Sequence, residues 1–161
     1  MSRVARAARI ASRQRPESIT ADKTIGAAET GELYFINHNA GSTVTVTLPP
    51  VQEGAYFRFQ FATAMDAVGA KVNIVTADGA GTLKGTLLTT LYAGSSADTS
   101  VATNKDSSSL LIAYSGSIAA QPTNKIHVGT YLDIYCDGTN WQASGVTVAD
   151  HLSASVFHTG V

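Results

Sequence analysis

The chain has 161 residues, 44% of them hydrophobic and 14% charged, with a net charge of −1 and a single cysteine, Cys136. That length supports one domain with its own core, and one cysteine excludes an internal disulfide, so stability comes from burial or from association. No run of about 18 apolar residues occurs, which excludes a transmembrane helix, and neither a signal-peptide core nor a glycosylation sequon is present.

Charge is unevenly placed. Arg3, Arg6, Arg9, Arg13 and Arg15 all precede the first acid, Glu17, and the rest of the chain holds six Lys or Arg against twelve Asp or Glu. A basic arm, residues 1–16, therefore leads an acidic body, residues 17–161. In the arm, Arg3, Arg6, Arg9 and Arg13 fall along one side of a possible helix, which Pro16 ends. A helix this short is marginal in water by itself. A solvated tail, a mitochondrial-type presequence and an anchor on an acidic surface all fit such a composition. Five arginines without interleaved aromatics are too few for a nucleic-acid site, and the reading preferred here is a protein-docking arm.

The body reads as strands in succession. Ser18–Ile25 predicts a first short strand, and Glu29–Glu32 a polar turn. Leu33–Asn37 is a strand, followed by a turn at His38–Gly41. Thr43–Leu48 alternates strictly, with Val44, Val46 and Leu48 inward, until Pro49-Pro50 stops it. Ala55–Phe61 alternates again, with Phe57, Phe59 and Phe61 inward and Tyr56, Arg58 and Gln60 outward. Lys71–Thr76 is a strand, and Asp78-Gly79-Ala80-Gly81 reads as a hairpin turn. Thr82–Tyr92 supplies one or two strands, Ala93–Ser109 a long polar loop, Leu110–Tyr114 a strand and Ser115–Lys125 a second loop.

Gly129–Gly145 reads as a hairpin. Tyr131, Asp133 and Tyr135 share one face of its first strand, and Leu132, Ile134 and Cys136 the other. Asp137-Gly138 makes the turn, because glycine accepts positive φ and the Asp side chain bonds the backbone ahead of it. Trp141, the only tryptophan, starts the return strand and closes one end of a core. A short strand Val146–Ala149 follows, and the tail Asp150–Val161 has no clear periodicity. Eight to ten short strands between Gly, Asn, Asp and Pro turns predict an all-β fold: a single antiparallel β-sandwich or jelly-roll-like domain.

The sequence offers little for catalysis. Asp78–Gly81 lacks the third glycine and the helix of a dinucleotide loop, and no nucleophile elbow, Walker loop or zincin motif occurs. Of the histidines His38, His127, His151 and His158, the last two are seven apart, but no sequence-near carboxylate or thiolate completes a metal site. A trimer axis could gather three copies of one His, but four solvated or packed histidines is the favoured reading, so no metal and no cofactor is expected. Asp133 and Asp137 flank the hairpin like a carboxylate pair, but Asp137 is more simply a turn former. Cys136 lies on the apolar face and reads as a small core residue. The tyrosines suit a sugar-stacking platform, though strand tyrosines are common.

Two stretches, Gly41–Phe61 (GSTVTVTLPPVQEGAYFRFQF) and Gly129–Trp141 (GTYLDIYCDGTNW), stand in order around Val72–Gly79 (VNIVTADG). Together they resemble small β-sandwich modules of tailed-phage virion proteins, found in capsid decoration (cement) proteins and at the tips of head or tail fibres. The resemblance spans roughly residues 33–145, and its motifs are β-patterns rather than catalytic signatures. It implies a homotrimer, no enzymatic activity, and a place on the capsid surface. It also implies that Arg3, Arg6, Arg9, Arg13 and Arg15 dock on the major capsid protein or a neighbouring virion protein. The absence of a shaft repeat or heptads favours decoration over a fibre. A fibre-tip module recognising host glycan or protein through the two long loops is the alternative.

Overall fold

In the computed structural model, residues 16–77, 82–91, 100–103, 109–113, 125–150 and 155–158 are described. The arginines of the arm and most of the two long polar loops lie outside these residues, as does the Asp78–Gly81 segment. The chain is all-β, with strands β1 (Glu17–Ile19), β2 (Lys23–Thr24), β3 (Leu33–Ile36), β4 (Thr43–Thr47), β5 (Tyr56–Phe61) and β6 (Lys71–Val75) in its first half. The second half adds β7 (Leu83–Leu91), β8 (Ser100–Thr103), β9 (Ser109–Ala113), β10 (Tyr131–Cys136), β11 (Trp141–Ala149) and β12 (Ser155–His158).

Seven strands form one sheet in the order β1-β3-β5-β10-β11-β7-β8, and five form the other in the order β12-β9-β6-β4-β2. The first six strands alternate between the sheets, and each runs parallel to the previous strand of its own sheet. The chain thus winds as a coil before turning to hairpins. Parallel neighbours need a crossover connection, and here the crossing segment is a strand of the opposite sheet rather than a helix. The pairing is antiparallel where β10 joins β5 and β11, where β8 joins β7, and where β9 joins β6 and β12. β11 and β7 are again parallel.

This arrangement bears out the all-β expectation and departs from a purely antiparallel sandwich or jelly roll, because strand period reveals which face is buried but not which strand lies alongside. The single strand expected over Ser18–Ile25 is two, β1 and β2, in different sheets. β6 and β7 also lie in different sheets, so these two strands are not a hairpin pair. β8 and β12 occupy stretches without a clear apolar period, and β11 runs unbroken where a Trp141 start and a separate Val146–Ala149 strand were expected.

One core lies between the sheets. Val44, Val46 and Leu48 from one side meet Phe57, Phe59, Phe61, Leu132 and Ile134 from the other, all buried. The inner aromatics are connected: Tyr34 stacks on Phe59 at 5.4 Å between centroids, and Phe57 tilts against Trp141 at 5.9 Å. Contacts of this kind add to area burial because the ring quadrupoles align edge to face or offset. Among the described residues no helix is long and apolar enough to cross a membrane.

The opening coil is fastened by charge. Lys23 Nζ lies 3.0 Å from Glu17 and 2.9 Å from Glu29, and Tyr34 donates its hydroxyl to Glu29 at 3.3 Å. Glu29 also accepts the Gly26 N–H. That backbone hydrogen bond, followed by Lys23, holds the Glu29 carboxyl below its usual range, and burial followed by Glu29 pushes the Tyr34 phenol up. Because folding lowers the Glu29 pKa, its contribution is complete above the unfolded glutamate value and is lost as pH falls through the folded one. Glu29→Gln is expected to flatten the acid limb of a melting-temperature profile between about pH 5 and pH 3. Parallel profiles for the two proteins would remove Glu29 from that role.

Candidate functional site

The described residues place one rigid polar and aromatic cluster on the outer face of the seven-stranded sheet. Alternation turns Tyr56 and Arg58 of β5 outward beside Tyr131, Asp133 and Tyr135 of β10. The antiparallel register sets Arg58 opposite Asp133 and Tyr56 opposite Tyr135. Arg58 donates a two-pronged fork to Asp133, Nε to Oδ1 at 2.8 Å and Nη2 to Oδ2 at 2.8 Å. Tyr56 donates its hydroxyl to the same Oδ1 at 2.7 Å. The guanidinium carbon also sits 5.2 Å from the centre of the Tyr131 ring.

This geometry gives each group a fixed role. Asp133 raises the Arg58 pKa through the fork, and burial followed by the Asp133 hydrogen bond raises that of Tyr56. The arginine stays charged and the phenol stays a donor. With the Arg58 side chain 45% exposed, solvent screening limits the pair to about 0–1 kcal/mol of stability. Its consequence is order: a planar cation held by a fork and a ring has little rotamer freedom left to lose on binding. Tyr135 stands beside this cluster and is 49% exposed.

The adjoining hairpin is built as its residues dictate. Asp137 Oδ1 accepts the backbone N–H groups of Thr139 at 2.9 Å and Asn140 at 2.7 Å, and Oδ2 accepts from Gln142 at 2.8 Å. The Asn140 N–H, then Gln142 and Thr139, hold the Asp137 carboxyl below its usual range. Gly138 takes φ +93, the conformation that made glycine the expected residue there. Trp141 is fully buried behind the turn. Asp133 and Asp137 do not act as a pair: one belongs to the Arg58 cluster and the other caps the turn.

The opposite end of the sheet carries a second polar group. His127 Nε2 lies 2.6 Å from Asp150, and Lys125 lies 3.9 Å from Asp66. His38 is buried and packs into the loop before β4. Cys136 is buried, as its place on the apolar face predicts. Among the described residues no three His, Cys, Asp or Glu side chains converge to hold a metal. His151 and the His158 side chain lie outside them, as do Arg3, Arg6, Arg9, Arg13 and Arg15.

Sequence reasoning put Tyr56 and Arg58 outward, and Asp133 outward with the tyrosines, without bringing the two strands together. The only signal was the matched outward set on each strand. No protein-family model matches the chain, and no curated protein or solved structure is significantly similar to it.

Proposed function

We propose that this chain is a structural virion protein, a capsid decoration or cement protein that binds the outer surface of an assembled phage capsid as a homotrimer and stabilises it. The observation that carries this reading is the ordered Tyr56–Arg58–Asp133–Tyr131 cluster with exposed Tyr135 beside it. Tyr and Arg are the residues that dominate protein contact surfaces, and a prefixed arrangement binds at low entropic cost. The two-sheet body acts as the β-sandwich module of this reading.

The basic arm, through Arg3, Arg6, Arg9, Arg13 and Arg15, reaches the major capsid protein or a neighbouring virion protein. A subunit that binds only the assembled shell opposes its dissociation by mass action, and three arms per trimer add avidity without strengthening any single contact. A fibre-tip or receptor-binding role is the second reading, favoured by the half-exposed Tyr135 ring, which offers an apolar face to a sugar.

Light scattering on the full chain and on one beginning at Glu17 tests the proposal. Trimers in both are expected, with an unchanged β circular-dichroism signal and loss of capsid co-sedimentation only in the shortened chain. Monomers in both would overturn the decoration role, and saturable glycan binding by such a monomer would establish the second reading.

A further inference from the structure

A cleft of about 420 Å³ opens where the turn between β1 and β2 faces the loop leading into β4. Its volume lies within the range of small-ligand pockets, about 300–1,000 Å³. Thr20, Asp22, His38, Ser42, Thr43 and Val44 contribute to its wall, which among the described residues includes no Lys or Arg. His38 is only 3% exposed, and its Nε2 lies 2.8 Å from the Ser42 carbonyl oxygen. A carbonyl only accepts, so Nε2 carries the hydrogen and Nδ1 is the ring atom left for a ligand. Among the described residues Nδ1 has no hydrogen-bond partner.

Asp22 is held in a similar way. Its Oδ1 accepts the Thr45 N–H at 2.8 Å, which fixes the carboxylate against the edge of β4 and leaves Oδ2 available. The wall thus holds one anion and an imidazole acceptor, with Thr20, Ser42 and Thr43 beside them. An anionic ligand would meet the carboxylate with no cation to offset it. A planar cation with several N–H donors matches the set, since a guanidinium donates to a carboxylate and to further acceptors in one plane.

We propose that this cleft binds the guanidinium group of an arginine side chain, with Asp22 as counter-ion and His38 Nδ1 as acceptor. The proposal does not depend on the virion role. The guanidinium belongs either to the arginine-rich residues 1–15 of a second copy or to an arginine from elsewhere, and the chemistry of recognition is the same.

Titration of the ¹⁵N-labelled full chain separates these sources, with N-acetylarginine amide and a synthetic peptide of residues 1–15 as probes. Both are expected to shift the amide signals of Thr20–Asp22 and His38–Val44 in a saturable way. Asp22→Asn is expected to weaken both by about tenfold or more, because it removes a charge-assisted hydrogen bond. Asparagine keeps the carbonyl that accepts from Thr45, so the fold is retained; His38→Gln checks the second contact. Tighter binding of the peptide assigns the cleft to the arm of another copy, and equal binding assigns it to a foreign arginine. Unchanged affinity in Asp22→Asn, equal binding of neutral glucose, or no saturable shift in these segments would overturn the proposal.

Discussion

Trp141→Ala is expected to destabilise the protein by about 3–5 kcal/mol, the usual cost of emptying a large aromatic site in a closed core. The ring is fully buried at the start of β11 and tilts against Phe57. Its backbone N–H is tied to the Thr82 carbonyl at 2.9 Å, so the strand start cannot easily collapse into the space left. Urea denaturation followed by circular dichroism measures this, since the change removes the only tryptophan fluorophore. Trp141→Phe is a sharper comparison. Among the described residues the buried indole Nε1 has no hydrogen-bond partner. Phenylalanine removes that unpaired donor, whose burial costs about 1–3 kcal/mol, while leaving much of the volume filled. Its loss should therefore be well below that of alanine. Equal midpoints for wild type and Trp141→Ala would mean that this end of the core is not sealed by the indole.

Gly85→Ala is expected to cost at least about 3 kcal/mol, through two effects acting together. Gly85 has φ +145, which residues with a side chain rarely adopt. A Cβ at that position would also lie 1.7 Å from the Ala143 carbonyl oxygen on the adjacent strand. Ala143 is its register partner in the parallel β7–β11 pair, so the added methyl group would push the two strands apart at their pairing point. A midpoint close to wild type, with an unchanged denaturant slope, would show that β7 can shift without losing its place. Thr86→Ala, one residue along and exposed, serves as the control and should change stability by less than about 0.5 kcal/mol.

Trp141 is recognisable in the sequence, because a lone tryptophan after an Asp-Gly turn starts a return strand. The constraint on Gly85 is not, because a glycine in a Thr- and Leu-rich stretch says nothing about which carbonyl lies beside it. The same division runs through the candidate site. Arg58 and Asp133 are 75 residues apart, and their fork exists only because β10 inserts next to β5.

By itself the sequence determined the local terms. Alternation in Val44–Leu48, Phe57–Phe61 and Tyr131–Cys136 settled which side chains are buried, because successive strand residues point to opposite faces whatever their neighbours are. Asp137-Gly138 settled the hairpin, because turn geometry is decided within four residues. Only the tertiary structure decided that the first six strands coil between two sheets with parallel partners, that β8 and β12 form in stretches without a clear apolar period, and that His38 and Asp22 wall one cleft. Those outcomes depend on which edges meet across dozens of residues. A period of two is equally compatible with a parallel or an antiparallel neighbour.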